Sequence, residues 1–147
     1  MLRGRPDYEL VDHTADTGIV VRAESLPRVF EAAAAAMFDV MYDVTRVDPR
    51  GPVRRVELRE PDLESALRAW LAELLSWSMA EGLAPGLFDV ERVDRAGDGV
   101  AVEGSAGAEP LEPGRHRFET EIKAVTWHGI RVEREGEAWR ARVIFDV

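Results

Sequence analysis

Ala138-Trp139-Arg140-Ala141-Arg142-Val143-Ile144-Phe145-Asp146-Val147 is the stretch whose alternation decides the fold class. Trp139, Ala141, Val143 and Phe145 alternate with Arg140, Arg142, Ile144 and Asp146, the period of a strand with one covered face. Asp146 therefore falls opposite most of the apolar side chains, where its carboxylate is available to a ligand. Gly136 separates this run from Ile130 to Glu133, and Gly97-Asp98-Gly99 separates Leu87 to Val93 from Val100 to Ser105. Both pairs read as hairpins, which implies antiparallel pairing. Phe118 to His128 reads as a further strand, and the Gly and Pro cluster from Gly104 to Gly114 as a surface loop.

Working outward, Tyr8 to Val11 and Gly18 to Ala23 read as strands joined by Asp12-His13-Thr14-Ala15-Asp16. Ser25 is a suitable N-cap, Pro27 is tolerated in a first turn, and Leu26, Val29, Phe30, Ala33, Met37 and Met41 recur at helical spacing. The spacing predicts a helix with one apolar face on a sheet. Val53, Val56 and Leu58 suggest a short strand. Asp62 then opens the strongest helix, striped by Leu63, Ala66, Leu67, Trp70, Leu71, Leu74 and Leu75 and stopped by Gly82. The whole reads as an α+β fold, a mostly antiparallel or mixed sheet covered by two main amphipathic helices. The 147 residues, with no linker or repeat between them, are expected to form a single domain over 1–147.

The formal net charge of -9 opposes nonspecific nucleic-acid binding, which needs clustered Lys and Arg. Without cysteine there is neither a disulfide framework nor a thiolate metal site. Residues 1–7 lack the apolar core of a signal peptide, and the longest apolar run, Ala32 to Phe38, falls far short of the roughly 20 residues of a membrane span. These features imply a soluble, cytoplasmic protein.

If the fold brings the two acidic segments together, Asp16, Asp146 and the terminal carboxylate of Val147 form an oxygen-rich pocket, with Asp12 as a further candidate. Such donors suit a hard divalent cation rather than zinc. The same aspartates also fit Asx turns, helix caps or plain solvation, so two readings stay open. His13 and His128 could each act as a general base or metal ligand, or hold a loop through backbone hydrogen bonds. His116 lies in the arginine-flanked loop Arg115 to Arg117. Lys123 is the only lysine, placed to pack its stem beside Val125 and Trp127 while its ammonium reaches a carboxylate or a partner's phosphate.

Three ordered motifs together resemble the archease family: Tyr8 to Asp16 followed by Gly18-Ile19, Lys123-Ala124-Val125-Thr126-Trp127-His128, and Val143-Ile144-Phe145-Asp146-Val147. Thr17 stands where a hydrophobic residue is common and Trp127 where tyrosine is common. The resemblance covers essentially the whole chain. It implies a protein that is not an enzyme but an activator of the GTP-dependent RNA ligase that joins 2′,3′-cyclic phosphate or 3′-phosphate ends to 5′-hydroxyl ends in tRNA splicing and RNA repair. It further implies promotion of ligase guanylylation and multiple turnover, a divalent-metal site on Asp16 and Asp146, and functional weight on Lys123; Ca²⁺ is the expected ion with Mg²⁺ or Mn²⁺ as alternatives, and His13 is a further expected partner contact. The ligase would be the partner and RNA would be met only through it. Two other classes stand beside this reading, a metal-dependent phosphoester hydrolase using His13 and His128 with the carboxylates, and a metal-independent chaperone or adaptor.

Overall fold

Ser25 caps helix α1 (Leu26–Met41) by accepting the Arg28 amide, with Pro27 in the first turn. The computed structural model describes residues 1–12 and 16–147, Asp12 by its backbone alone. Within α1 every residue from Val29 to Phe38 is buried, so the helix is covered all round rather than on one face. The reason is the run Ala32 to Ala36, whose small side chains let a sheet approach from either side.

One sheet has the order β1 (Leu2–Arg3), β5 (Leu83–Ala96), β6 (Gly99–Pro110), β4 (Val53–Glu60). The other has β2 (Tyr8–Asp12), β3 (Asp16–Ala23), β9 (Ala138–Asp146) and β7 (Ala124–Val125), with β8 (Arg131–Glu135) also pairing to β9. All pairings are antiparallel. Helix α1 touches β5 of the first sheet and β3 and β9 of the second, while α2 (Leu63–Glu81) touches β4, β5 and β6 as well as β7 and β8. The helices thus lie between two sheets, and the core fills both interfaces. Phe38 stacks on Phe88 with ring centroids 5.8 Å apart, and the Trp70 indole N–H donates to the Phe30 carbonyl at 3.1 Å. Asp62 caps α2 through the Ser65 amide, and Gly82 ends it in the left-handed conformation.

Two stretches differ from their sequence reading. The expected loop from Gly104 is strand as far as Pro110, because a Cβ on Gly104 would stand 2.9 Å from the Asp89 carbonyl oxygen and 3.3 Å from the Trp70 ring. Glycine there marks close sheet-to-helix approach rather than a turn. The expected strand Phe118 to His128 is reduced to β7. The Glu119 and Thr120 amides donate to the Met41 carbonyl at the end of α1, so this segment crosses a helix terminus instead of extending a sheet.

Glu31, buried in the middle of α1, accepts the Val90 amide at 2.7 Å and pairs with Arg28 at 3.1 Å and the Met1 ammonium at 3.0 Å. Arg28 also donates to the Val90 carbonyl at 2.9 Å. The two side chains therefore satisfy both backbone groups of Val90, beside the bulge in β5 between Val90 and Arg92. Glu31→Ala leaves a buried amide unpaired and is expected to cost about 3 kcal/mol in urea unfolding. An unchanged unfolding midpoint would show that the bulge does not need this carboxylate.

Candidate functional site

Strand β3 pairs with β9 over eight rungs from Asp16↔Asp146 to Ala23↔Trp139. Residues directly opposite share a face. One face carries Thr17, Ile19, Val21, Ala141, Val143 and Phe145 toward the helices, and the other carries Arg140, Arg142 and both aspartates. Gly18 permits the closeness: a Cβ there would lie 2.5 Å from Ile144 Cδ1 and 2.8 Å from the Val143 carbonyl oxygen. On the far side of β9, Ala124 is opposite Asp146, and the Lys123 amide donates to the Asp146 carbonyl at 2.7 Å.

Ion pairing on that outer face is uneven. Arg22 takes Glu9 and Glu135, Arg140 reaches Glu133 and Glu135, and Arg142 donates to the Gly129 carbonyl. Asp16 and Asp146 have no cationic partner among the described residues. Two carboxylates opposite each other across a strand pair repel, and a divalent cation between them would remove that repulsion. All side-chain donors at this rung are oxygen, so the set fits a hard ion. No group of three or more His, Cys, Asp or Glu that could enclose a metal exists among the described residues. An ion held by this pair would therefore keep positions open to water or another molecule's oxygens.

Val147 and Asp16 both line a cleft of about 850 Å³ shared with Arg5, Tyr8, Asp39 and Arg117. Asp12 pairs through its backbone with Thr17, and His13 lies outside the described residues. His128 is exposed in the turn before Gly129, its amide bonded to Thr126 Oγ1 at 3.2 Å. Thr126 pairs with Ile144, so His128 leaves the ladder in the direction away from Asp146. Lys123 presents its side chain elsewhere, lining a groove against α2.

The cleft is held by groups that composition does not reveal. Arg5 bridges Asp39 and Asp43, each at 2.9 Å, and the Tyr8 hydroxyl donates to Asp39 at 2.6 Å. Burial first, then that hydrogen bond, raises the Tyr8 phenol well above its usual range. His116, passed over in the sequence as a loop residue, is fully buried. Its Nδ1 accepts the Glu112 amide at 3.0 Å, which leaves Nε2 to donate to Glu109 at 2.9 Å. Glu109 also accepts the Asp48 amide and the Arg115 guanidinium. Helix α3 (Pro113–His116) is thereby fastened to β6, and Arg117, left-handed at φ 58°, directs the chain past the cleft toward Lys123.

Fold and rung together define a class: an α+β protein with two antiparallel sheets packed on two helices and an aspartate pair on an outer sheet face. Residues 8–147 match the archease protein family (MTH1598/TM1083), and the chain belongs to that family. It is 38% identical over 140 residues to protein archease of Methanosarcina acetivorans, covering 95% of each chain. Protein archease of Thermococcus gammatolerans is 38% identical over 141 residues, covering 95% of this chain and 98% of that one. The solution structure of Methanobacterium thermoautotrophicum protein 1598 superposes with a TM-score of 0.82 at 38% identity, over 95% of this chain and 98% of that one. A crystal structure from Thermotoga maritima described as an archease, possible chaperone, shares the fold, with a TM-score of 0.58 and 22% identity over 95% and 96% of the two chains. Archeases are non-catalytic activators of an RNA ligase, and the family generally uses a metal cofactor. No helix among the described residues is long and apolar enough to cross a membrane.

The Arg115 hydrogen bond, then the Asp48 amide and His116, lowers the Glu109 carboxyl from 4.5 to about 2. A carboxylate depressed in the folded state contributes stability that is complete above its unfolded value and lost as pH falls through its folded value. Thermal unfolding midpoints should therefore drop as pH falls from about 4.5 toward 2. Glu109→Gln should lower the midpoint at neutral pH, corresponding to about 2 kcal/mol, and converge with wild type at the acid end of that window. Parallel curves for the two proteins would refute this role.

Proposed function

We propose that this chain activates the GTP-dependent ligase that joins 2′,3′-cyclic phosphate or 3′-phosphate RNA ends to 5′-hydroxyl ends, promoting its guanylylation and multiple turnover from the Asp16–Asp146 rung. The observation that carries this reading is the pair of unneutralised carboxylates on one rung, in a chain whose family activates an RNA ligase. Asp16 and Asp146 would hold a divalent ion, Ca²⁺ first with Mg²⁺ or Mn²⁺ as alternatives, with Val147 and Asp12 as further oxygen donors. A divalent ion bound there would supply positive charge for phosphate oxygens. Asp146 is exposed, so its side of the pair is open to a partner, and the β3–β9 register sets the two aspartates opposite each other. Lys123 and His13 are assigned to partner contact. The net charge of -9 favours a protein partner over naked RNA, so RNA would be met through the ligase.

Multiple-turnover RNA joining by the cognate ligase with GTP and divalent metal tests the reading. Wild type should stimulate, and Asp146→Asn, shown folded by its unfolding curve, should lose the stimulation by on the order of tenfold to a hundredfold, the scale of removing a charge-stabilising group. Full stimulation by both Asp16→Asn and Asp146→Asn would sink the carboxylate site. Absence of stimulation by folded wild type with an active ligase would sink the activator reading itself.

A further inference from the structure

Helix α2 carries a second stripe, Arg68, Ala72, Leu75 and Met79, which shares Leu75 with the first and lies on the side where β7 is its neighbour. Because β7 is only two residues long, it covers this stripe incompletely and leaves a groove of about 530 Å³ edged by Lys123 and Val125. The floor is recessed on the helix side because Ala72 is small. Two large apolar side chains remain in solvent around it, Met79 at 49% and Trp127 at 58% exposure. Trp127 is held in place: the Arg68 guanidinium lies 4.5 Å from its ring centroid, while Arg68 Nε donates to the Val125 carbonyl at 3.1 Å. A rim ordered before binding loses little entropy on association.

Charge identifies the occupant. The protein has a net charge of -9, yet no acidic residue among the described residues lines this groove. Its two cations have no carboxylate partner among the described residues: Arg68 is spent on a carbonyl and a ring, and the Lys123 ammonium has none at all. An apolar floor with an uncommitted ammonium complements an apolar segment that carries a carboxylate. RNA would bring many phosphates against an acidic surface, with only these two cations to meet them. The groove also adjoins the carboxylate rung, since the Lys123 amide is bonded to the Asp146 carbonyl.

We propose that the groove between α2 and β7 docks an apolar, carboxylate-bearing segment of the ligase protein, with Lys123 paired to that carboxylate. This rests on the activator reading above. Binding is separate from the work of the aspartates: the groove supplies affinity, and Asp16 and Asp146 supply the stimulation.

The test is a titration of purified ligase by calorimetry alongside the RNA-joining assay. Met79→Glu and Lys123→Glu should each raise Kd by about tenfold or more. Val53→Glu, a charge placed on a still more exposed apolar residue of β4, should leave Kd unchanged, as should Asp146→Asn while it loses stimulation. At saturating concentration Met79→Glu should recover wild-type stimulation. Wild-type Kd for both groove variants, with wild type still stimulating, would overturn the docking surface and leave the activator reading intact. Failure of wild type to stimulate would remove that reading first. Binding of a single-stranded RNA oligonucleotide that Lys123→Glu abolishes, without change in ligase affinity, would assign the groove to RNA and overturn the proposal.

Discussion

Burial of α1 on every side is the constraint from which the architecture follows. A helix enclosed between two sheets can carry bulky side chains only where each sheet leaves room, and five consecutive alanines set the distance at which both approach. Phe30, Met37 and Phe38 then fill the ends of the layer, and the one acid inside it, Glu31, has to be satisfied from the sheet it touches. The helix terminus is equally committed. The Met41 carbonyl receives Glu119 and Thr120, while Asp39 and Asp43 hold Arg5 and Tyr8, so the walls of the cleft beside Asp16 hang from the same helix that organises the core.

Against that layer the Asp16–Asp146 rung stands out because it sets two carboxylates opposite each other with no cationic partner among the described residues. Glu9, Glu133 and Glu135 on the same sheet face each take an arginine, and the arginine nearest along β9, Arg142, is turned to a backbone carbonyl. Like charges opposed across strands cost free energy, and a sequence rich in arginine had ready means to relieve them. Local cost without structural return is the mark expected of a functional position. The rest of the ladder absorbs it, because core packing of Ile19, Val21, Val143 and Phe145 fixes the register regardless of what the outer face carries.

Much of this was legible in the chain. Period two in Trp139 to Asp146 placed the aspartate on the outer face, and Ser25, Asp62 and Gly82 marked helix ends where the structure has them. Both hairpin turns also fell where glycine signalled them. What was not legible depended on contacts between distant segments. The alanine run reads as an ordinary helix face because periodicity cannot tell one covering sheet from two. Gly104 looks like loop chemistry until the Trp70 ring is found against it, and residues 118–123 look like strand until Met41 takes their amides. His116 and Glu109 are seven residues apart within a stretch read as loop, and only folding makes them a buried pair. The joining of residues 16 and 146 on one rung came from motif resemblance, since nothing local encodes a pairing over that separation.

The two faces of β9 keep Asp146 and Lys123 apart. Side chains at one rung of a strand point to one face, whereas its backbone is shared with both neighbours. Asp146 uses its side chain toward Asp16 and its carbonyl toward Lys123, so the lysine is tied to the carboxylate pair through the main chain while its ammonium lines a different depression. Had Lys123 been placed to neutralise Asp146, the rung would have lost its unpaired charge. With the ammonium in the groove, the two aspartates keep their charge uncompensated among the described residues. The separation is enforced by Arg68, which occupies the Val125 carbonyl and the Trp127 ring and so holds β7 between the two surfaces.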